Sequence, residues 1–82
     1  MNPRIKSVEP TSDYKLKVYF SNREIGIFDV TPYLGIGVFK ELTDRNYFNQ
    51  AKVFDGTVVW PHEQDFCPDT IYNESIRHIE SG

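Results

Sequence analysis

The sequence predicts an α+β domain: a small antiparallel sheet of about five strands with two or three short helices packed on one side. Three stretches carry that reading. Tyr14 to Phe20 alternates apolar and polar residues, Asp55-Gly56 stands between two short β-branched runs, and after Gly37 the apolar spacing changes to three and four residues.

The first strand is expected over Arg4 to Glu9, ended by Pro10, which has no amide hydrogen to continue a ladder. Thr11-Ser12-Asp13 reads as a turn. In the next strand Leu16, Val18 and Phe20 share one face, and Lys15, Lys17 and Tyr19 the other. Ser21-Asn22-Arg23 supplies turn residues, and Glu24 to Val30 returns as a β-branched strand. Its inward face is ambiguous, because Ile25 and Ile27 compete with Phe28 and Val30; a bulge near Gly26 would reconcile them.

Thr31-Pro32 ends that strand, since the residue before proline is held extended and proline presets a turn. Val38, Phe39 and Leu42 then share a helical face, with Lys40 and Glu41 pointing away. Asp44 is placed to cap a further helical turn through Phe48. Asp55-Gly56 joins Lys52-Val53-Phe54 to Thr57-Val58-Val59-Trp60 as a hairpin, because both residues tolerate the positive φ that a two-residue turn requires. Pro61 closes that strand and a polar loop runs to Cys67. Pro68 and Asp69 suit the first turn of a last helix, on which Ile71, Ile76 and Ile79 form a weak apolar stripe and Arg77 and His78 occupy the C-terminal end.

All 82 residues, 1–82, are read as one domain with a core from about residue 3 to 76. With 39% hydrophobic and 15% aromatic residues the chain has enough apolar surface to fold. No apolar run approaches the length of a membrane helix, and the opening Met1-Asn2-Pro3-Arg4 lacks the apolar stretch of a secretion signal, which predicts a cytoplasmic protein. The single cysteine, Cys67, fits a reducing compartment. A net charge of −3 argues against binding a nucleic-acid backbone directly. The charge is unevenly placed, with six basic and four acidic residues up to Lys40, then three basic and eight acidic ones. An acidic second half could meet a basic partner, although a solvated acidic surface explains it more simply.

Trp60 to Tyr72 gathers the only tryptophan, the only cysteine, one of two histidines and several acids. Cys67 with His62 or His78 would make an activated thiol, but an unreactive cysteine beside a helix start is the commoner case. His62, Asp65, Cys67, Asp69 and His78 are acceptable zinc ligands in kind, at a spacing that matches no metal motif. Asp65 and Asp69 as an acid–base pair compete with their capping duties. No cofactor, metal or catalytic residue is therefore assigned. Trp60 could anchor a partner or cover the core. The residues carried forward as a binding site are Trp60, His62, Asp65, Asp69 and Tyr72.

Several runs also resemble the bacterial family known as domain of unknown function 2442. They are Asn2-Pro3-Arg4-Ile5, Phe28-Asp29-Val30 with Pro32-Tyr33-Leu34, Gly37-Val38-Phe39-Lys40-Glu41-Leu42, Gly56-Thr57-Val58-Val59-Trp60-Pro61, Asp65, and Pro68-Asp69-Thr70-Ile71-Tyr72. The resemblance spans about Pro3 to Ser75. It implies a compact α+β domain whose genes often lie beside another small uncharacterised protein, an arrangement similar to toxin–antitoxin pairs. Some relatives add a helix-turn-helix domain that this sequence lacks. The expected function is a small protein-interaction module, antitoxin-like, with a small and basic protein partner. The alternatives are a ligand-binding or enzymatic domain using Trp60 to Tyr72, and a self-associating homodimer.

Overall fold

A computed structural model describes residues 2–79. Four antiparallel strands form one sheet: β1 (Ile5–Pro10), β2 (Lys15–Phe20), β3 (Glu24–Asp29) and β7 (Ile76–Ile79), in the spatial order β1-β2-β3-β7. A second antiparallel sheet holds β4 (Lys52–Phe54), β5 (Thr57–Val59) and β6 (Asp65–Phe66) in that order. Between β3 and β4 run two 3-10 helices, Thr31–Tyr33 and Gly37–Thr43, and the short helix α1 (Arg45–Phe48); α2 (Pro68–Glu74) precedes β7. The class is α+β as expected, and the expected count of about five strands is close to the seven, divided between two sheets, among the described residues.

Period-two alternation fixes β2. Leu16, Val18 and Phe20 are almost fully buried, while Lys15, Lys17 and Tyr19 stand on the other face. The ambiguity in β3 resolves without a bulge. Leu16 pairs with Phe28 and Val18 with Gly26, so Phe28 and Gly26 face the core, and Ile25 is covered on the outer face between its cross-strand neighbours Tyr19 and His78. The irregularity lies in β1 instead, between Ile5 and Ser7.

Gly37–Thr43 winds as a 3-10 helix, and this alters which residues it buries. Three residues per turn stack Phe39 over Leu42, half-buried and buried, and turn Val38 out to 65% exposure, against the expectation that all three face the core. Asp44 caps α1 as expected, its carboxylate accepting from Asn46 N at 2.9 Å and Tyr47 N at 3.4 Å. The hairpin also forms at Asp55-Gly56, with φ of 52° and 77°. Arg4 reaches across to donate to the Asp55 carbonyl and to its carboxylate.

The last helix is shorter than the Ile71–Ile76–Ile79 stripe implied. α2 stops at Glu74, Ser75 turns extended (ψ 155°), and residues 76–79 pair with β3 as a strand. One core joins both sheets. The inner face of the larger sheet meets Leu42, Tyr47 and Phe48 from the helical connection, Val58, Trp60 and Phe66 from the smaller sheet, and Ile71 from α2.

Candidate interaction surface

Close approach at Gly26 lets the chain after α2 reach β3. A Cβ there would lie 2.7 Å from Ser75 Oγ and 2.9 Å from the Phe20 ring, so only glycine admits Ser75 against the sheet. α2 is seated by Ile71, fully buried, and by the edge of the Tyr72 ring on Phe20, with centroids 5.1 Å apart. The Tyr72 hydroxyl donates to Glu24 Oε1, and Asn22 donates to the same oxygen. These bonds hold the Glu24 carboxyl below its ordinary value, the tyrosine first. Arg77 lies over the Tyr72 ring, 4.0 Å from its centroid, with Nη1 3.9 Å from Glu24 Oε2.

The strand so fixed is open. β7 pairs on one side with β3, and no described residue pairs with its other side. All four residues are exposed, Ile76 at 80% and Ile79 at 67%. Ile76 stands opposite Ile27 and continues a row across the outer face from Lys17. Alternate residues of an antiparallel edge turn their N–H and C=O outward, so β7 offers both apolar side chains and free backbone groups.

The five residues expected to bind do not converge. Trp60 is 3% exposed, its indole N–H donating to the Phe48 carbonyl at 2.9 Å, so its ring belongs to the core. His62 is exposed, its Nδ1 2.6 Å from Glu41 Oε2, and its ring stacks on Tyr47. Asp65 is exposed on β6, opposite Val59. Asp69 accepts from Asn2 Nδ2 at 3.1 Å. Tyr72 alone contacts the β7 surface, through Glu24 and Arg77.

The structure also contains a polar hub that the sequence left unmarked. Gln64, 2% exposed, accepts from the Tyr47 hydroxyl at 2.6 Å and donates to the Val38 carbonyl and to Glu41 Oε1, each at 2.9 Å. The Tyr47 oxygen in turn accepts from the His62 amide at 2.8 Å. This network pins the Pro61–Gln64 loop to the helical connection. Gln64, and to a lesser extent His62, holds the Glu41 carboxyl below its ordinary value. The only sequence cue was a glutamine in a loop between proline and a buried aromatic, which looks like any solvated loop residue.

Cys67 is exposed at the start of α2, with Sγ 3.3 Å from Thr70 Oγ1; that side-chain bond leads the causes that lower its thiol pKa. Its hydrogen-bond partner is thus a hydroxyl of its own helix turn rather than an imidazole. Among the described residues no three His, Cys, Asp or Glu side chains gather as metal ligands, and no pocket is formed. No described helix is long and apolar enough to cross a membrane.

No curated protein and no solved structure matches the chain. The family model for a protein of unknown function (DUF2442) matches residues 5–77, which include all seven strands except the last two residues of β7. This chain is a member of the DUF2442 family.

Proposed function

We propose that the chain is a protein-interaction module, antitoxin-like, that takes up a small neighbour-encoded protein along the β7 edge in the bacterial cytoplasm. The observation supporting this reading is the exposed Ile76 and Ile79 on an edge strand with an open side. Proteins ordinarily blunt such an edge with charges, prolines, bulges or a covering segment, because it recruits other strands. β7 carries polar side chains, Arg77 and His78, only at its two central positions and keeps isoleucine at both ends. The network behind it, from Glu24 through Tyr72 to Arg77, holds the strand in one position, which lowers the entropic cost of docking. The function is one of binding, with Tyr72 supporting the surface and Trp60 supporting the core beneath it.

Co-expression with the neighbouring gene product, followed by purification through a tag on one protein, tests this directly. The wild-type chain is expected to retain its partner, and the Ile76→Lys, Ile79→Lys double variant to lose it. Both side chains point into solvent, so the variant is expected to fold with stability within about 0.5 kcal/mol of wild type. A wild-type chain that never copurifies with the neighbour and is fully stable alone defeats the proposal.

A further inference from the structure

Building on the interaction reading, we infer that β7 accepts an extended partner segment whose residues opposite Ile76, Arg77, His78 and Ile79 are apolar, acidic, acidic and apolar. The reasoning follows from the register of the sheet. Directly opposed residues of neighbouring strands share a face and lie close enough for their side chains to interact. β3 and β7 already obey this, with Ile27 beside Ile76, Gly26 beside Arg77, Ile25 beside His78 and Glu24 beside Ile79. A strand added on the open side extends each of these rows by one residue. On the outer face it meets Ile76, which continues the Lys17–Ile27 row, and His78, which continues the Tyr19–Ile25 row. On the inner face it meets Arg77 and Ile79.

The two central positions present hydrogen-bond donors, the Arg77 guanidinium cation and the His78 ring. Arg77 has Glu24 on its inner side at 3.9 Å, and a third of its side chain is still exposed. A second carboxylate on the open side completes a bridge across the planar guanidinium. His78 is exposed and makes no ion pair among the described residues, and its ring N–H can donate to a carboxylate beside it. Elsewhere the net charge of −3 repels an acidic chain, which confines the attraction to this edge. The charge asymmetry of the sequence pointed to a basic partner; the folded edge reverses that sign.

A second copy of this chain fits less well. A two-fold axis normal to a continuous sheet passes midway between the two edge strands, so that one residue of each strand stands directly opposite its own copy. Two such registers overlap more than one residue of β7. One sets Arg77 against Arg77 and Ile76 against His78; the other sets His78 against His78 and Arg77 against Ile79. Neither gives an isoleucine an apolar partner, and the first opposes two guanidinium groups.

Titration of the isotopically labelled full chain with short synthetic peptides, followed by amide chemical shifts, tests the inference. One peptide carries an apolar-Glu-Glu-apolar core in an extended sequence, and its control carries Lys-Lys at the central positions. The acidic peptide is expected to shift amides of β7 and β3 and to bind about tenfold more tightly than the control, the effect of the cross-strand pairs at Arg77 and His78. His78→Glu, which leaves the Arg77 packing intact, is expected to remove most of that preference. Equal binding of both peptides, no binding of either, or shifts centred away from β7 would overturn the inference. So would β7 shifts that grow with protein concentration alone, which would make the occupant a second copy. A partner lost in the double lysine variant while the peptides are not distinguished leaves the interaction reading standing and removes only the acidic assignment. A partner that survives the lysines removes the edge as the binding surface.

Discussion

Two residues show how burial decides the meaning of a polar side chain. Gln64 had no mark in composition or periodicity, because its burial depends on a loop folding back onto the helical connection and not on its neighbours in sequence. Replacing it by leucine keeps its bulk and removes the acceptor of the buried Tyr47 hydroxyl and the side-chain donor to the Val38 carbonyl. Gln64→Leu is expected to destabilise the chain by about 1–3 kcal/mol in urea unfolding. Tyr72, by contrast, stood among the residues expected to bind, and in the fold its hydroxyl donates to Glu24 beside β7. The folded state lowers the Glu24 pKa below its free value of 4.5. The stabilisation this confers is therefore fully present above that value and is lost as pH falls through the lower folded one. Tyr72→Phe removes the leading cause. The stability gap between wild type and variant is expected to be widest at about pH 7 and to close as pH falls through the lowered folded value, as measured by urea midpoints.

Elements defined by local signals were legible: the alternating β2, the Asp44 cap, and the hairpin at Asp55-Gly56 all rest on a few adjacent residues. β7 was not. Ile76-Arg77-His78-Ile79 spaces its apolar residues three apart, as either a helix or a strand can, and what decides between them is the free edge of β3 waiting to be paired. Gly26 is the residue that makes that edge accessible, and its place in a strand suggested a bulge when its use is close packing against Ser75. Gly26→Ala is expected to cost about 1–3 kcal/mol through overpacking, with Ser75→Gly restoring part of it, a coupling that a double-mutant cycle of unfolding midpoints would measure. The 3-10 winding of Gly37–Thr43 was similarly hidden, since a spacing of three and four residues does not distinguish it from an α-helix over so short a run. Of the five residues expected to bind, only Tyr72 lies beside the β7 surface in the fold; the edge itself could be read only after the strands were ordered.

At the scale of the molecule, a single apolar cluster spans both sheets, so neither sheet has a core of its own. Leu16 on the larger sheet and Trp60 beside the smaller one belong to that cluster. Leu16→Ala is expected to lower stability by about 2–5 kcal/mol, with Trp60 fluorescence and far-ultraviolet dichroism reporting the same midpoint. Separate midpoints would divide the chain into two cooperative units. The same interdependence governs how the chain is made. Arg4 bonds to Asp55, 51 positions on, and Asn2 to Asp69, 67 positions on, so these residues find their partners only when much later segments are in place. Closing such long loops is entropically slow, and the β1–β2–β3 meander, whose own connections are local, must wait with its inner face bare. During that wait the sticky boundary is β3, whose edge any passing strand could occupy. The arrival of β7 ends that exposure and moves the open edge outward by one strand, onto one that carries Arg77 and His78. β7 is thus the stopper that covers the β3 edge of the meander, and the open edge it leaves lies one strand further out.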